Sequence, residues 1–427
     1  MKKRTLNLFL VLFFVFFYSC QNDEFDSVTN VDDDPLEEGV LATFDISDLE
    51  IMEQHLLNSG IELPELAEDS VPQTKGIFLN DPLVKAIKVS CKTPHPSGNG
   101  TYINASGVLL VPKRTIFTSL STFRIIVATP GTYTANNAAP SNAFKNISLV
   151  SNGDININYF WTLQAKRGYV VLMPDYPGFG DSYGECFHPY LDSKALVEST
   201  IDLLGTVRNV LSANGYRYKK ELVISGYSQG GFVAAALARE LETNTSHGYK
   251  VNLLFTGGTP CNLKMIADIV RASDETVHTY FLPYAVWGYK LNKYPSVDVN
   301  SIMKEPYAST SKELFDGTRG DLNEEFPHKI SDLYTERFIK NLDIDPSLQY
   351  LNTILVENSV EPWKNDCKFI MTHGIDDVSV YYANAKDFAD KQNAIGGKVK
   401  FWPTLGDHVL AFVPYYTKLS TELIFHK

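Results

Sequence analysis

ELVISGYSQGGFVAAALAREL, residues 221–241, decides how this chain folds. Leu222, Val223 and Ile224 form a short apolar run of the kind that makes a buried strand. The run meets Gly226-Tyr227-Ser228-Gln229-Gly230-Gly231, and small and apolar residues at helical spacing follow. That order predicts strand, sharp turn and helix, with Ser228 at the apex. Glycine is needed two positions either side, because the serine sits in a strained backbone conformation and larger side chains would strike neighbouring backbone. The turn lifts the hydroxyl into the open and frees the Gln229 amide. Gly-x-Ser-x-Gly recurs by chance, and a plain surface turn is the alternative; its placement between a buried strand and a small-residue helix is the informative part.

Upstream, Tyr169 to Met173 reads as another buried strand running into Pro174-Asp175-Tyr176-Pro177-Gly178-Phe179-Gly180. Tyr159 to Lys166 before it and Leu191 to Leu211 after it read as helices. Phe123 to Ala128 predicts a strand ending in Thr129-Pro130-Gly131-Thr132, where a loop could offer a backbone amide to a developing negative charge. Such a Pro-Gly pair also serves as an ordinary turn. Leu83 to Thr93 and Thr101 to Val111 predict two β-runs joined through residues 94–100, and residues 134–158 read as a long loop. Two antiparallel strands followed by alternating strand and helix predict one large, mostly parallel sheet covered on both faces.

These residues resemble the α/β-hydrolases: Gly226 to Gly230 as nucleophile elbow, Pro174 to Gly180 after the preceding parallel strand, and Pro130-Gly131-Thr132 at the oxyanion loop. The likeness spans about residues 81–427 and is greatest to the secreted bacterial lipase and esterase branch. It implies an acid after a later strand and then a histidine. Thr372-His373-Gly374-Ile375-Asp376-Asp377-Val378-Ser379-Val380 follows a short apolar strand and is similar to the family's His-Gly-x-x-Asp-x-x-Val motif. The alignment makes Asp377 the acid, with Asp376 the runner-up and a helix cap the structural alternative. Gly406-Asp407-His408 follows a last strand, Lys398 to Trp402, and His408 opens an apolar helix, residues 409–424. Of nine histidines it alone has that position. His188 reads as a structural hydrogen-bonder near the site and His373 as a turn residue; His55, His95, His247, His278, His328 and His426 read as ordinary.

The resemblance therefore implies Ser228 as nucleophile, His408 as base, Asp377 as its orienting acid, and the amides of Gln229 and Thr132 as oxyanion donors. It requires no cofactor, and no cysteine-histidine spacing suggests a metal site. Residues 262–362 fit no further strand-helix repeat and read as a helical cap inserted into the catalytic domain, 81–261 and 363–427. The aromatic cluster Tyr280 to Tyr289 in that cap either lines a pocket or packs cap helices together.

At the other end, Lys2-Lys3-Arg4 and the apolar run Leu6 to Phe17 read as a signal peptide, residues 1–19. The run is too short to span a bilayer comfortably. Tyr18-Ser19-Cys20 resembles a lipoprotein processing site, with Cys20 lipidated and the following acidic residues similar to a surface-export tag. The expected location is the cell envelope, as an outer-membrane lipoprotein tethered through its lipid. Residues 20–46 read as an acidic tether and 47–80 as a helical segment, capped by Ser47 or Asp48, with Leu49, Ile51, Met52, Leu56 and Leu57 inward. Four cysteines remain, Cys91, Cys186, Cys261 and Cys367; a Cys186–Cys261 disulfide is the preferred pairing, and free thiols are the alternative.

Composition fits a large core: 44% of residues are hydrophobic and 21% charged. Of the formal charge of -12, residues 21–70 hold 16 acidic groups and no Lys or Arg, which leaves the body near neutral. That excludes an electrostatic case for nucleic-acid binding. The expected partner is a small-molecule or lipid ester. A serine exopeptidase of the same fold, and a surface binding protein on a hydrolase scaffold without catalysis, are the competing expectations.

Overall fold

A ten-stranded sheet runs in the order β1-β2-β3-β5-β4-β7-β8-β9-β10, with β6 paired to β4 beside that path. The computed structural model describes residues 36, 39–64, 83–113, 121–149 and 155–426. The expected signal peptide, Cys20 and most of the acidic tether lie outside them. The strands are β1 (Val40–Phe44), β2 (Val84–Pro94), β3 (Tyr102–Pro112), β4 (Thr122–Thr129), β5 (Tyr169–Pro174), β6 (Arg217–Tyr218), β7 (Glu221–Tyr227), β8 (Lys250–Gly257), β9 (Lys368–Gly374) and β10 (Val399–Thr404). From β5 through β10 every neighbouring pair is parallel; β1/β2, β2/β3 and β3/β5 are antiparallel. β5 and the greater part of β4, β7 and β8 are buried. Strands covered on both faces must be apolar throughout, which is why each reads as a continuous hydrophobic run.

One face carries helices Ile46–Asn58, Ile157–Lys166 and Phe412–Leu423, whose Met52, Phe160, Trp161 and Tyr415 belong to one buried core with Ile126, Val223 and Phe255 of the sheet. Helices Ser193–Ala213, Gln229–Thr243 and Tyr382–Ala394 bury the rest, the last setting Phe388 against Phe369 and Trp363. This is the α/β-hydrolase fold. Between β8 and β9 it carries the expected helical insertion, with seven α-helices, three of which, Leu263–Ala272, Phe281–Asn292 and Gln349–Asn358, have ten residues or more.

Several local expectations need correction. Residues 40–44, read as tether, form β1, because Val40, Leu41 and Phe44 supply an apolar edge for β2 to pair with. The helix that follows is capped by Asp45 rather than Ser47 or Asp48; Asp45 accepts from the Asp48 amide at 3.0 Å, and the Asp48 carboxylate accepts in return from the Asp45 amide. Leu49, Met52 and Leu56 point inward as expected, but Ile51 and Leu57 face solvent. The long loop contains a helix, Pro140–Lys145, started by proline at its first turn. The last helix begins three residues later than expected, at Phe412. All four described cysteines are free, so the Cys186–Cys261 pairing is wrong. Cys261 is buried beneath the cap, its carbonyl accepting from the Val360 amide, while Cys186 lies in the turn closed by the Tyr183–Cys186 bridge.

Candidate active site

β7 delivers Ser228 into a turn with φ 59° and ψ -125°; among the described non-glycine residues only Leu191 shares a positive φ. Such a conformation costs about 1–3 kcal/mol and persists only where the surroundings enforce it. Here the enforcement is close packing. A Cβ on Gly226 would lie 2.3 Å from the Gly230 backbone and the Thr129 Oγ1, and one on Gly230 would lie 2.1 Å from the Thr129 carbonyl. The Ser228 amide donates to the Gly257 carbonyl at 2.8 Å, tying the elbow to the end of β8. Gln229 then opens the helix.

Asp377 lies three residues beyond β9 and is 3% exposed, whereas Asp376 faces solvent. Its Oδ1 accepts the amides of Ser379 and Val380 at 2.9 and 2.8 Å; its Oδ2 accepts from His408 Nδ1 at 2.6 Å. Of the two aspartates, Asp377 is thus the one that pairs with His408. Burial alone would raise this carboxyl, but hydrogen bonds from His373 and His408 hold it well below the usual carboxylate range.

His408 lies four residues beyond β10. The amides of Val409 and Leu410 donate to Asp407 Oδ1 at 3.0 and 2.9 Å, which fixes the turn, and the Tyr227 hydroxyl donates to the His408 carbonyl at 2.6 Å. The imidazole rests against Tyr227, ring centres 5.1 Å apart, and a Cβ on Gly258 would approach its Cε1 to 2.7 Å. Tyr227 precedes Ser228, and Gly258 follows the carbonyl that holds the Ser228 amide. The structure thus joins His408 to Asp377 and sets the imidazole beside the elbow; the Ser228 hydroxyl makes no hydrogen bond among the described residues.

The amides of Gln229 and Thr132 have no acceptor among the described residues. The loop carrying Thr132 is braced twice: the Tyr176 hydroxyl donates to the Pro130 carbonyl at 2.8 Å, and the Thr132 and Tyr190 hydroxyls pair at 3.0 Å. Ser228 and Gln229 open onto a cleft of about 770 Å³, counted out to its mouth. Cap residues Leu263, Ile266, Val270, Phe281 and Leu282 wall it. The aromatic cluster divides between the two expectations: Phe281 and Tyr289 line the cleft, while Trp287 packs inside the cap and donates to the Ser311 hydroxyl at 2.8 Å. Among the described residues no cluster of His, Cys, Asp or Glu is placed to hold a metal ion.

Two histidines carry more than their sequence context announced, and a third matches it. His373, read as a turn residue, is fully buried at the end of β9; its Nε2 lies 2.6 Å from the Val380 carbonyl and 3.2 Å from Asp377 Oδ2, so it braces the acid from behind. His278, read as ordinary, lines the cleft; burial and then the charge of nearby His408 push it below its usual range. No motif marks it, because the cap has no repeating pattern to place a side chain. His188 is the structural hydrogen-bonder expected, with Nδ1 2.9 Å from the Pro177 carbonyl and Nε2 3.0 Å from Gln229 Nε2. Burial pushes it down to about 4, so it is neutral near neutral pH.

An elbow serine, a half-buried histidine paired to a buried aspartate on later strand ends, and an apolar cleft under a helical cap thus gather at one end of an α/β-hydrolase fold. A sequence profile of the Prolyl oligopeptidase family matches residues 156–244, from helix Ile157–Lys166 through the elbow helix. No curated protein matches the chain. Among solved structures, a protein from Legionella pneumophila is similar with a TM-score of 0.72 and 21% identity, covering 91% of this chain and 96% of that one. The ligand-bound rice cell wall degrading esterase LipA from Xanthomonas oryzae is similar with a TM-score of 0.70 and 20% identity, covering 90% and 96%. Candida antarctica lipase A in its closed state gives 0.58 and 16%, covering 80% and 78%. At these identities the likeness is one of fold.

Proposed function

We propose that this chain is a serine hydrolase that cleaves carboxylic esters with apolar acyl groups through an acyl-enzyme. The 2.6 Å His408–Asp377 hydrogen bond beside the strained Ser228 is the observation that carries the reading. Ser228 Oγ attacks the acyl carbon while His408 Nε2 takes its proton, and the same nitrogen returns the proton to the departing alkoxide. Asp377 stabilises the imidazolium so formed. The free amides of Gln229 and Thr132 receive the oxyanion, each such donor lowering the barrier by on the order of 3 kcal/mol. Water activated by His408 then releases the acid and regenerates Ser228. The apolar cap wall supports an acyl group as the bound portion, and the esterase and lipase likenesses support ester chemistry.

The profile match to a peptidase family supports a second reading, an exopeptidase, since the same groups attack amides. One panel separates them: p-nitrophenyl esters from acetate to palmitate beside aminoacyl anilides, with wild type and Ser228→Ala. Ester turnover that falls at least about 10³-fold in the variant is expected. Faster anilide turnover supports the peptidase, and silence on every substrate leaves a binding protein. The proposal extends to location, with Cys20 lipidated and the enzyme held at the outer membrane. Metabolic labelling with radioactive palmitate tests it; label that survives Cys20→Ala would refute that site.

A further inference from the structure

Gln229 is 1% exposed and is among the residues lining the cleft beside Ser228, and its buried Oε1 has no hydrogen-bond partner among the described residues. Its orientation is fixed by a relay. His188 Nδ1 faces the Pro177 carbonyl, an acceptor only, so the proton of this neutral imidazole sits on Nδ1. Nε2 is then a lone pair, and only the NH2 end of Gln229 can donate to it across 3.0 Å. The ring cannot easily turn, since it is packed among Tyr176, Phe179, Tyr190 and Tyr284. The carbonyl end is therefore held as an acceptor without a donor. Buried acceptors left unpaired destabilise a fold, and the few that persist in a native protein call for a functional explanation.

We infer that Gln229 Oε1 reads a hydroxyl group on the acyl part of the substrate, close to the scissile carbonyl. This rests on the ester-hydrolase reading and narrows its substrate class to hydroxyacyl esters. The donor is a neutral one: no Asp or Glu lines the cleft, so an ammonium brought there would go unpaired in apolar surroundings. Adjacency in the chain sets the distance scale, because Gln229 follows the nucleophile directly. A site built to pair a substrate hydroxyl discriminates strongly against the analogue lacking it, since the protein group is then stranded. His188 is a positioning residue in this scheme, acting through Gln229.

The test uses the full chain and p-nitrophenyl esters of hexanoate, 2-hydroxyhexanoate, 3-hydroxyhexanoate and 2-aminohexanoate, with each kcat/KM divided by the hydroxide-catalysed rate of the same ester. At least one hydroxy ester is expected to exceed hexanoate by about tenfold or more in the wild type. The ratio is expected to collapse toward one in Gln229→Met and to shrink in His188→Phe. Ratios within one variant are the readout, so a general loss of activity cancels. Gln229→Glu, which keeps the shape and adds charge, is expected to lift the amino ester above the hydroxy esters, and it serves where the methionine variant does not fold. A wild-type ratio near one, a ratio that survives Gln229→Met, or a wild-type preference for the amino ester overturns the inference. Hydrolysis of hexanoate that persists in Ser228→Ala overturns the enzyme reading itself, whereas Ser228-dependent hydrolysis without hydroxyl preference overturns only the role of Gln229.

Discussion

Asp377 accepts three hydrogen bonds and has the His373 imidazole 3.2 Å from one oxygen, and these neighbours set its behaviour with pH. Its carboxyl is held below the unfolded value of about 3.9, so its contribution to stability is full above that pH and is lost as pH falls further. In acid titrations followed by circular dichroism, Asp377→Asn should therefore lose less stability than wild type below about pH 4. The same substitution should lower kcat by roughly 10³–10⁴, because the imidazole loses its fixed tautomer, while Asp376→Asn should stay within a few-fold. His188 works in a different window. A histidine whose folded value is pushed down to about 4 stays neutral while the unfolded chain protonates near 6.5, so stability falls as pH drops between those values. The full effect is about 3 kcal/mol, and urea unfolding at pH 7 and pH 4.5 should show a smaller pH difference in His188→Phe. Motif spacing favoured Asp377 over Asp376 as the partner of His408, and those two side chains do pair, whereas the approach of His373 was not legible: a contact that closes across a loop leaves no periodic trace.

Among the elements, the elbow was the most legible, since its glycines answer to backbone contacts a few residues away. The cap was legible only as a gap in the strand-helix alternation. Its helix Leu263–Ala272 turns Leu263, Ile266, Ala267 and Val270 to the cleft and ties Lys264 and Arg271 to Asp343 outside, at 2.8 and 2.9 Å. Ala267 is the small residue in that wall, so Ala267→Trp should lower the palmitate-to-acetate ratio of kcat/KM by tenfold or more. An unchanged ratio would show that acyl chains run elsewhere. At the other end of the chain, helix Ile46–Asn58 buries Met52 completely against the sheet's outer helices. Met52→Ala should cost about 2–5 kcal/mol in urea unfolding, a magnitude typical of a core truncation. The strand before that helix was missed because its composition follows an acidic run, and only pairing with β2 reveals its use.

For the whole molecule, stability comes from the double-sided sheet and not from cross-links. Burial pushes the thiols of Cys91 and Cys186 up to about 11 and about 12, and Cys261 and Cys367 are raised as well. The melting temperature should therefore be the same with and without dithiothreitol, and native protein should react with iodoacetamide far more slowly than unfolded protein. The even count of cysteines suggested a disulfide because counting carries no distance. The mostly parallel sheet, by contrast, followed from alternating strands and helices, since such crossovers place successive strands side by side in one direction.

The cap enters the chain once, between β8 and β9, after Ser228 and before Asp377 and His408. Its single point of departure and return makes selectivity a transplantable part: residues 262–362 exchanged as a block with those of a similarly built enzyme would carry the donor's taste in acyl chains, while the recipient keeps its own reaction machinery.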